Sequence, residues 1–219
     1  VQTTMTRVHR APLGALCGLF LFVTLLETAR ARTPRKRRVG YTVKLGGNSF
    51  RIWGGAKTGL MPKGCSVSPD GKRLFVTNFG NRNFHNLDIF DALTLKRIRR
   101  MHWKGNAIES VASRDGKRLW VTNFYGSRLH VIDTRHYYIR QTIKPGRLPK
   151  MLHLSPDEKT LYVSNWGSRD VTAINARTGR IKGRVRTGRW PRGLATSPDG
   201  KVLYVANTGG KHVVAVDTR

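Results

Sequence analysis

Few residues of this 219-residue chain could perform acid–base chemistry, because only 12 are acidic whereas 41 are lysine or arginine. Most of the acids lie in a recurring turn or at the end of a short apolar segment, so they do not form the facing carboxylate pairs of general acid–base catalysis. Glu109 is the exception, because it begins an apolar segment where three similar segments have glycine or methionine. We expect its carboxylate to form an ion pair with Lys63 or Lys150 rather than to act in catalysis.

Histidines, cysteines and nucleophile motifs give no better catalytic candidates. The 7 histidines are scattered along the sequence, and only His153 is expected to approach the centre of the fold. Cys65 is interpreted as a small buried hydrophobic residue. The G-x-S-x-G, P-loop and H-E-x-x-H motifs do not occur. We therefore expect no metal ion and no cofactor, and we favour a non-enzymatic function.

Charge distinguishes this chain from an ordinary globular protein. The formal net charge is +29 at pH 7. A charge of this size favours anionic partners such as nucleic acid, although it does not determine the fold. We expect a polyanion or single-stranded DNA as a partner, together with a protein partner or a second copy of the chain.

The N-terminus has the features of an export signal. Two arginines precede the apolar segment 11–26, and an A-x-A site ending at Ala31 follows it. This order predicts a helical signal peptide over residues 1–31, a basic linker over 32–45, and a periplasmic, secreted or cell-surface protein without a stable membrane span. The basic residues that follow Ala31 oppose translocation, so an uncleaved N-terminal membrane anchor is the alternative.

Residues 46–219 contain four copies of one sequence unit. The most regular part is a polar turn, an apolar run and an asparagine: SPDGKRLFVTN (68–78), SRDGKRLWVTN (113–123), SPDEKTLYVSN (155–165) and SPDGKVLYVAN (197–207). The closing asparagines are 45, 42 and 42 residues apart, at Asn78, Asn123, Asn165 and Asn207. We interpret these asparagines as turn residues in the left-handed conformation. A period of about 40–45 residues is typical of β-propeller blades.

Each unit predicts four short antiparallel strands, which we name a to d in chain order. Strand a precedes the polar turn, in which Pro presets φ and Gly adopts a positive φ. Strand b is apolar along its length, as expected for a strand covered on both faces. The sequence therefore predicts an all-β protein, a β-propeller of about four four-stranded antiparallel blades that follows the N-terminal signal helix.

The units resemble the YVTN-repeat family of β-propellers, which occurs in bacterial surface-layer-like and periplasmic proteins. The resemblance covers about residues 51–219 and rests on the polar turn, strand b and the pattern TG-x-x-P-x-G. It implies a binding function, with DNA association in some members, and a ring that usually has seven blades. Four units either close a ring, with RIWGGAK (51–57) as the missing strand d of the last blade, or form an open arc.

One face of such a propeller collects the b–c loops and the d–a connections. We expect a binding site there, formed around Glu109 by aromatic residues and cations: Lys63, Lys150, Arg192, Phe79, Phe124, Trp166, Arg82, Arg128, Arg169 and Lys211. Basic residues interleaved with aromatic ones suit anionic ligands with planar groups. The same aromatic residues could equally serve only to pack one blade on the next.

We interpret the chain as an exported, non-enzymatic binding module for an anionic partner, either nucleic acid or another polyanion. One alternative is a propeller enzyme of the lactonase type, for which Glu109 and His153 are the acid and the histidine nearest the centre. The other alternative is a partial propeller that completes its ring by oligomerisation.

Overall fold

The computed structural model describes residues 42–45, 48–80 and 85–219. All the secondary structure in these ranges is β-strand, so no helix in this part of the chain is able to cross a membrane. The predicted signal peptide and residues 32–41 of the predicted linker lie outside the described residues and stay predictions. The last linker residues form β1 (Thr42–Leu45), which pairs with β2 (Asn48–Arg51) in a separate two-stranded sheet.

Four antiparallel sheets follow, and each one runs through its strands in chain order. The first sheet contains β3 (Pro62–Val67), β4 (Arg73–Asn78), β5 (His85–Asp91) and β6 (Arg97–His102). The second contains β7 (Ala107–Ala112), β8 (Arg118–Asn123), β9 (Arg128–Asp133) and β10 (Tyr138–Ile143). The third contains β11 (Pro149–Leu154), β12 (Thr160–Asn165), β13 (Asp170–Asn175) and β14 (Ile181–Arg186). The fourth contains β15 (Pro191–Thr196), β16 (Val202–Asn207) and β17 (His212–Asp217). The all-β propeller architecture predicted from the repeats is confirmed.

The core lies between successive sheets. In the second and third sheets, strands b and c bury their apolar side chains because a neighbouring sheet covers each face, as the unbroken apolar runs predict. In the last sheet, which packs on the third sheet through one face, β16 exposes Tyr204 and Ala206 and β17 is largely exposed. Phe75, Leu87 and Ile89 of the first sheet pack on Leu119 and Val121 of the second. The later sheets stack in the same manner, and the outer strand β14 is exposed along its whole length. This stacking places the inner strands β3, β7, β11 and β15 side by side in chain order.

The polar turns between strands a and b form as expected, on the opposite side of the strands from the b–c loops. In the first turn the Ser68 hydroxyl and the Lys72 amide both donate to the Asp70 carboxylate. Gly71 has a φ of 70°, which only glycine adopts without strain. Equivalent Ser–Asp bonds occur in the other three turns. These turns make each a–b hairpin tight and uniform.

Two departures from the turn sequence compensate each other. Arg114 replaces the turn proline of the second unit, so it retains an amide hydrogen, and Glu158 replaces the turn glycine of the third with a φ of 57°. The Arg114 amide donates to both carboxylate oxygens of Glu158, at 3.0 and 3.1 Å. Proline could not make this bond, and glycine could not accept it.

We expect these two substitutions to be energetically coupled. Arg114→Pro removes the donor, and Glu158→Gly removes the acceptor but relieves the positive φ, so the double variant restores two ordinary turns. A double-mutant cycle by urea denaturation is expected to give a coupling free energy of roughly 1 kcal/mol. Additive effects, within about 0.3 kcal/mol, would show that the turns are independent.

Of the two alternatives left open by the sequence, the described residues show the open arc, because RIWGGAK does not complete the last blade. Within the described residues the fourth sheet has three strands, and β17 pairs only with β16. The segment contacts the first sheet instead, where the Arg97 guanidinium donates to the Lys57 carbonyl and the Gly59 amide donates to Asp88. The buried carboxylate of Asp88 holds the segment beside its own sheet, and the four sheets form an open arc.

Candidate functional site

Four of the predicted site residues begin the inner strands, on the face that holds the b–c loops. Lys63, Lys150 and Arg192 are the second residues of β3, β11 and β15, and Glu109 is the third residue of β7. We call these four residues the inner-strand cluster. The arc is curved enough for Lys63 and Arg192 to act electrostatically on Lys150, although they belong to the first and fourth sheets. The structure therefore brings these three cations together.

Hydroxyl groups of strand b hold the inner strands in place. The Thr77 hydroxyl accepts a hydrogen bond from the Gly64 amide at 3.0 Å and donates to the Ile108 carbonyl of the next sheet at 2.7 Å. Thr122 and Ser164 make the equivalent links from β7 to β11 and from β11 to β15. Each hydroxyl stands at the bulge of its own inner strand, where the a–b register shifts. Sequence reasoning missed this role, although Thr or Ser precedes the asparagine in three of four units.

The repeated asparagines are structural, but they are not left-handed turn residues as predicted. Asn78, Asn123, Asn165 and Asn207 are at most 2% exposed and end strand b without a positive φ. Their side-chain amides bond to the adjacent strand or connection; the Asn123 amide, for example, donates to the Lys104 carbonyl and bonds to His130. A buried amide can satisfy backbone groups that the strand ladder leaves unpaired, which explains its place at the end of strand b.

Glu109 is the most perturbed acid of the site. The residue is 7% exposed, and burial raises the pKa of its carboxyl from 4.5 to about 7, while a hydrogen bond from the Ser110 amide opposes that rise. It forms no ion pair with Lys63, Lys150 or any other described residue, so the predicted ion pair is wrong. A Cβ atom at Gly64 would lie 3.0 Å from Glu109 Oε1, so the glycine makes room for the carboxyl. The result is a buried carboxyl that titrates near neutral pH.

The predicted aromatic residues form one continuous row across the sheets. Ring centroids of Phe79 and Phe124 are 6.0 Å apart, those of Phe124 and Trp166 are 6.0 Å apart, and those of Trp166 and Trp190 are 5.9 Å apart. Trp190 was not predicted; it belongs to the d–a connection of the last unit. Lys63 Nζ lies 5.6 Å from the Phe79 ring, and Lys150 Nζ lies 3.4 Å from the Trp166 ring. The row thus packs blade to blade and also supports two cations of the inner-strand cluster.

The remaining predicted cations that the structure describes do not join the inner-strand cluster. The Arg128 guanidinium donates to the carbonyls of Gly126 and Ser127 in its own loop. Arg169 and Lys211 are exposed loop residues with positive φ, at 61° and 54°. Arg82 lies outside the described residues.

Two further residues lie in the inner strands β3 and β11, and only Cys65 differs from its prediction. Cys65 is exposed rather than buried in the core, but protein surrounds part of its thiol. This partial desolvation and, secondly, the nearby Glu109 carboxylate raise the pKa of the thiol. His153 Nε2 bonds to the Thr196 hydroxyl and amide on the fourth sheet, at 3.0 and 3.1 Å. These two bonds make His153 a link between β11 and β15. Burial also lowers the pKa of its imidazole.

Solved structures that resemble this chain include enzymes. Hydrazine synthase of Kuenenia stuttgartiensis aligns with a TM-score of 0.66 and 29% identity over 74% of this chain and 47% of that one. Putative 6-phosphogluconolactonases of Bacteroides uniformis and Bacteroides fragilis align with TM-scores of 0.62 and 0.61 at 21% and 22% identity. They match 78% and 72% of this chain and 56% and 51% of their own, so the chain spans about half the length of the structures it matches. No curated protein matches the sequence.

A family match corrects two interpretations of the sequence. Residues 65–218 match the model of the lactonase family of seven-bladed β-propellers, which supports a β-propeller family but not the YVTN-repeat family. The same match overturns the interpretation as a non-enzymatic polyanion-binding module and favours the lactonase alternative. The matched region includes Glu109, Lys150 and Arg192. By this match over most of its described length, the chain belongs to the seven-bladed β-propeller lactonase family.

Proposed function

We propose that the chain contributes the catalytic face of a hydrolase for phosphorylated sugar lactones. The observation that carries this proposal is the Glu109 carboxyl, which is buried at the start of an inner strand and titrates at about 7. A general base is most effective when its pKa is close to the working pH, because it is then both ionised and basic. Membership of the lactonase family supplies the reaction class, and the putative 6-phosphogluconolactonases of similar fold suggest the substrate class.

The reaction requires one proton acceptor that later returns its proton. The Glu109 carboxylate removes a proton from water as the water oxygen attacks the lactone carbonyl carbon. The bond between that carbon and the ring oxygen then breaks, and Glu109 returns the proton to the leaving ring oxygen. The products are a carboxylic acid and a free hydroxyl group, so no further reactant is needed.

The cations of the inner-strand cluster suit the phosphate of such a substrate. Lys63 and Arg192 are exposed and begin inner strands on either side of Lys150, on which both act electrostatically. Charge-assisted hydrogen bonds from lysine and arginine to phosphate are stronger than neutral ones. An anionic substrate is therefore expected to bind with its phosphate between the first and fourth sheets and its lactone ring near Glu109.

This arrangement predicts a selective loss when two cations are removed. Lys63→Ala combined with Arg192→Ala is expected to lower kcat/KM for a phosphorylated sugar lactone by roughly 100-fold, because charged hydrogen bonds contribute about 1.5–3 kcal/mol each. Hydrolysis of the same lactone without the phosphate should change little. Initial rates with both substrates, after subtraction of uncatalysed hydrolysis, measure the difference.

The matched control removes the same charge from the same face outside the inner-strand cluster. Arg169→Ala combined with Lys211→Ala is expected to leave both rates within about threefold, because exposed charges contribute little. No hydrolysis of either lactone by the unaltered chain would overturn the proposed function. Equal losses for the phosphorylated and unphosphorylated lactones would overturn the role of the phosphate.

A further inference from the structure

A pocket lies between the second and third sheets, on the side that holds the a–b turns and away from the inner-strand cluster. Its volume is about 530 Å³, which is within the range of small-molecule sites. Trp120 and Val131 line it as buried apolar residues. Its charged lining residues are four cations and one acid: Lys117, Arg118, Arg140, Arg177 and Asp115. The pocket therefore combines a buried apolar surface with an excess of positive charge.

The interface between the first and second sheets shows what fills the equivalent space elsewhere in this chain. Tyr137 and Gly179 hold the same position in their units, each four residues after the last residue of strand c. The Tyr137 ring packs against the core between the first and second sheets, and its hydroxyl accepts a hydrogen bond from Arg73 Nε at 3.1 Å. Glycine has no ring to place between the second and third sheets. The pocket is therefore the place of a missing aromatic ring.

The arginine that would bond to this ring is present without its partner. Arg118 is the equivalent of Arg73, because both begin strand b, and its guanidinium lies 5.6 Å from the centroid of the Trp120 ring. Its Nη1 donates to the Ala176 carbonyl at 2.9 Å, whereas no acceptor in the described part of the chain bonds to its Nε. The Asp115 carboxylate is 3.9 Å from Nη2, which is beyond hydrogen-bond distance. A half-buried guanidinium thus retains donors for a ligand.

We propose that this pocket binds a small aromatic carboxylate. The ring of the ligand takes the position that the Tyr137 ring occupies in the preceding interface, and its carboxylate accepts hydrogen bonds from Arg118. A carboxylate is favoured over a neutral phenol because three further cations line the pocket against a single acid, and charge-assisted hydrogen bonds are stronger than neutral ones. The pocket lies apart from the inner-strand cluster, so this binding does not depend on lactone hydrolysis.

An NMR titration of the isotope-labelled chain with three probes tests the proposal. The probe para-methylbenzoate carries both ring and charge, para-cresol is the tyrosine side chain without the charge, and acetate carries the charge without the ring. We expect para-methylbenzoate to shift the backbone amides of Arg118 and Gly179 and to bind roughly tenfold more tightly than either other probe. Equal affinity for acetate would reveal a general anion site, and equal affinity for para-cresol would reveal an apolar cavity. Either result would overturn the proposal.

Gly179→Tyr restores the ring that the second unit carries and is expected to abolish binding. Tyr137 has a φ of 57° and Gly179 a φ of 76°, so the chain already holds tyrosine in this conformation. The added Cβ would lie 2.5 Å from the side-chain amide of Gln141, which is exposed and free to move aside. Gly183→Tyr is the matched control, because it adds the same ring to the exposed strand β14, where the new Cβ would meet no described atom within 4 Å. Unchanged binding by a folded Gly179→Tyr variant would overturn the proposal.

The reverse exchange provides a second test that does not depend on the first variant. Tyr137→Gly should open an equivalent pocket between the first and second sheets, where Arg73 would lose its hydroxyl partner. A second group of amides, around Lys72 and Arg73, is then expected to shift on addition of para-methylbenzoate. Tyr138→Gly is the control, because Tyr138 is the exposed neighbour in the same hairpin and should leave a single site. A folded Tyr137→Gly variant that binds only at the original pocket would overturn the proposal, because the missing ring would then not create the site.

Discussion

Replacement of Glu109 by glutamine is expected to lower kcat/KM for lactone hydrolysis by about 100- to 10,000-fold, the range typical of losing a general base. Glutamine has nearly the same shape and still accepts a hydrogen bond from the Ser110 amide, but it cannot take a proton from water. In the unaltered chain the rate is expected to rise with pH through about 7, because the carboxylate is the active form. The variant should lose this pH dependence together with its activity.

The same substitution is expected to stabilise the fold at alkaline pH. The pKa of Glu109 is raised from 4.5 to about 7 on folding, so protonated Glu109 favours the folded state, and this contribution is lost as pH rises from 4.5 through 7. A shift of this size corresponds to ~3 kcal/mol above pH 7. Glutamine has no charge to bury, so thermal denaturation should show a more stable variant at pH 8 and little difference at pH 4.

A Glu109→Gln variant that loses activity but gains stability at pH 8 has lost a catalytic group, whereas a variant with a damaged fold would lose both. Glu158→Gln is the control, because Glu158 belongs to an a–b turn away from the inner-strand cluster, and it should keep its hydrolytic activity. A Glu109→Gln variant that is more stable at pH 8 and equally active would disprove the role of the general base. A variant less stable at every pH would disprove the buried, titrating carboxyl itself.

Much of the fold could be predicted because each unit repeats the same local chemistry. The Ser-Pro-Asp-Gly turn fixes the a–b hairpin, and an apolar strand b favours a sheet on each of its faces, as β8 and β12 have. The place of the N-terminal segment could not be predicted in this way, because its contacts with the first sheet are long-range ones, such as the bonds of Arg97 to the Lys57 carbonyl and of the Gly59 amide to Asp88. Nothing in the sequence of RIWGGAK distinguishes pairing with the last sheet from contact with the first.

The positions of the candidate site residues in the strands could be predicted from the sequence, but the ionisation behaviour of Glu109 could not. Topology was enough to place Lys63, Lys150 and Arg192 at equivalent inner-strand positions. The sequence suggested that Glu109 would form an ion pair, because lysines are close in the alignment of the units. The structure instead buries Glu109 beside Gly64, without an ion pair to any cation among the described residues. The state of a carboxyl depends on its solvation, which residue spacing does not encode.

Replacement of Asp88 by asparagine is expected to lower the free energy of unfolding by about 3 kcal/mol, because it removes one partner of a buried ion pair. The Asp88 side chain is fully buried and accepts bonds from Arg100 at 2.6 and 3.0 Å, from the Gly59 amide at 2.7 Å and from Asn78 at 3.1 Å. Burial alone would raise the pKa of Asp88, but these bonds outweigh it and hold the pKa below 3.8. The stabilisation is therefore present above pH 3.8 and is lost as the pH falls through the lowered value.

Urea denaturation measures the effect of the substitution on the stability of the whole fold, and amide hydrogen exchange measures its effect at Gly59. Asp88→Asn should lower the urea midpoint at pH 7 and remove the exchange protection of the Gly59 amide, since that amide depends on the carboxylate. Asp217→Asn is the control, because Asp217 pairs with Arg219 at 2.8 Å on the surface, where solvent screening leaves an ion pair little effect on stability. Equal midpoints for the two variants would show that burial adds nothing to the Asp88 pair. Retained protection at Gly59 would show that the segment before β3 is held on the first sheet by contacts other than this carboxylate.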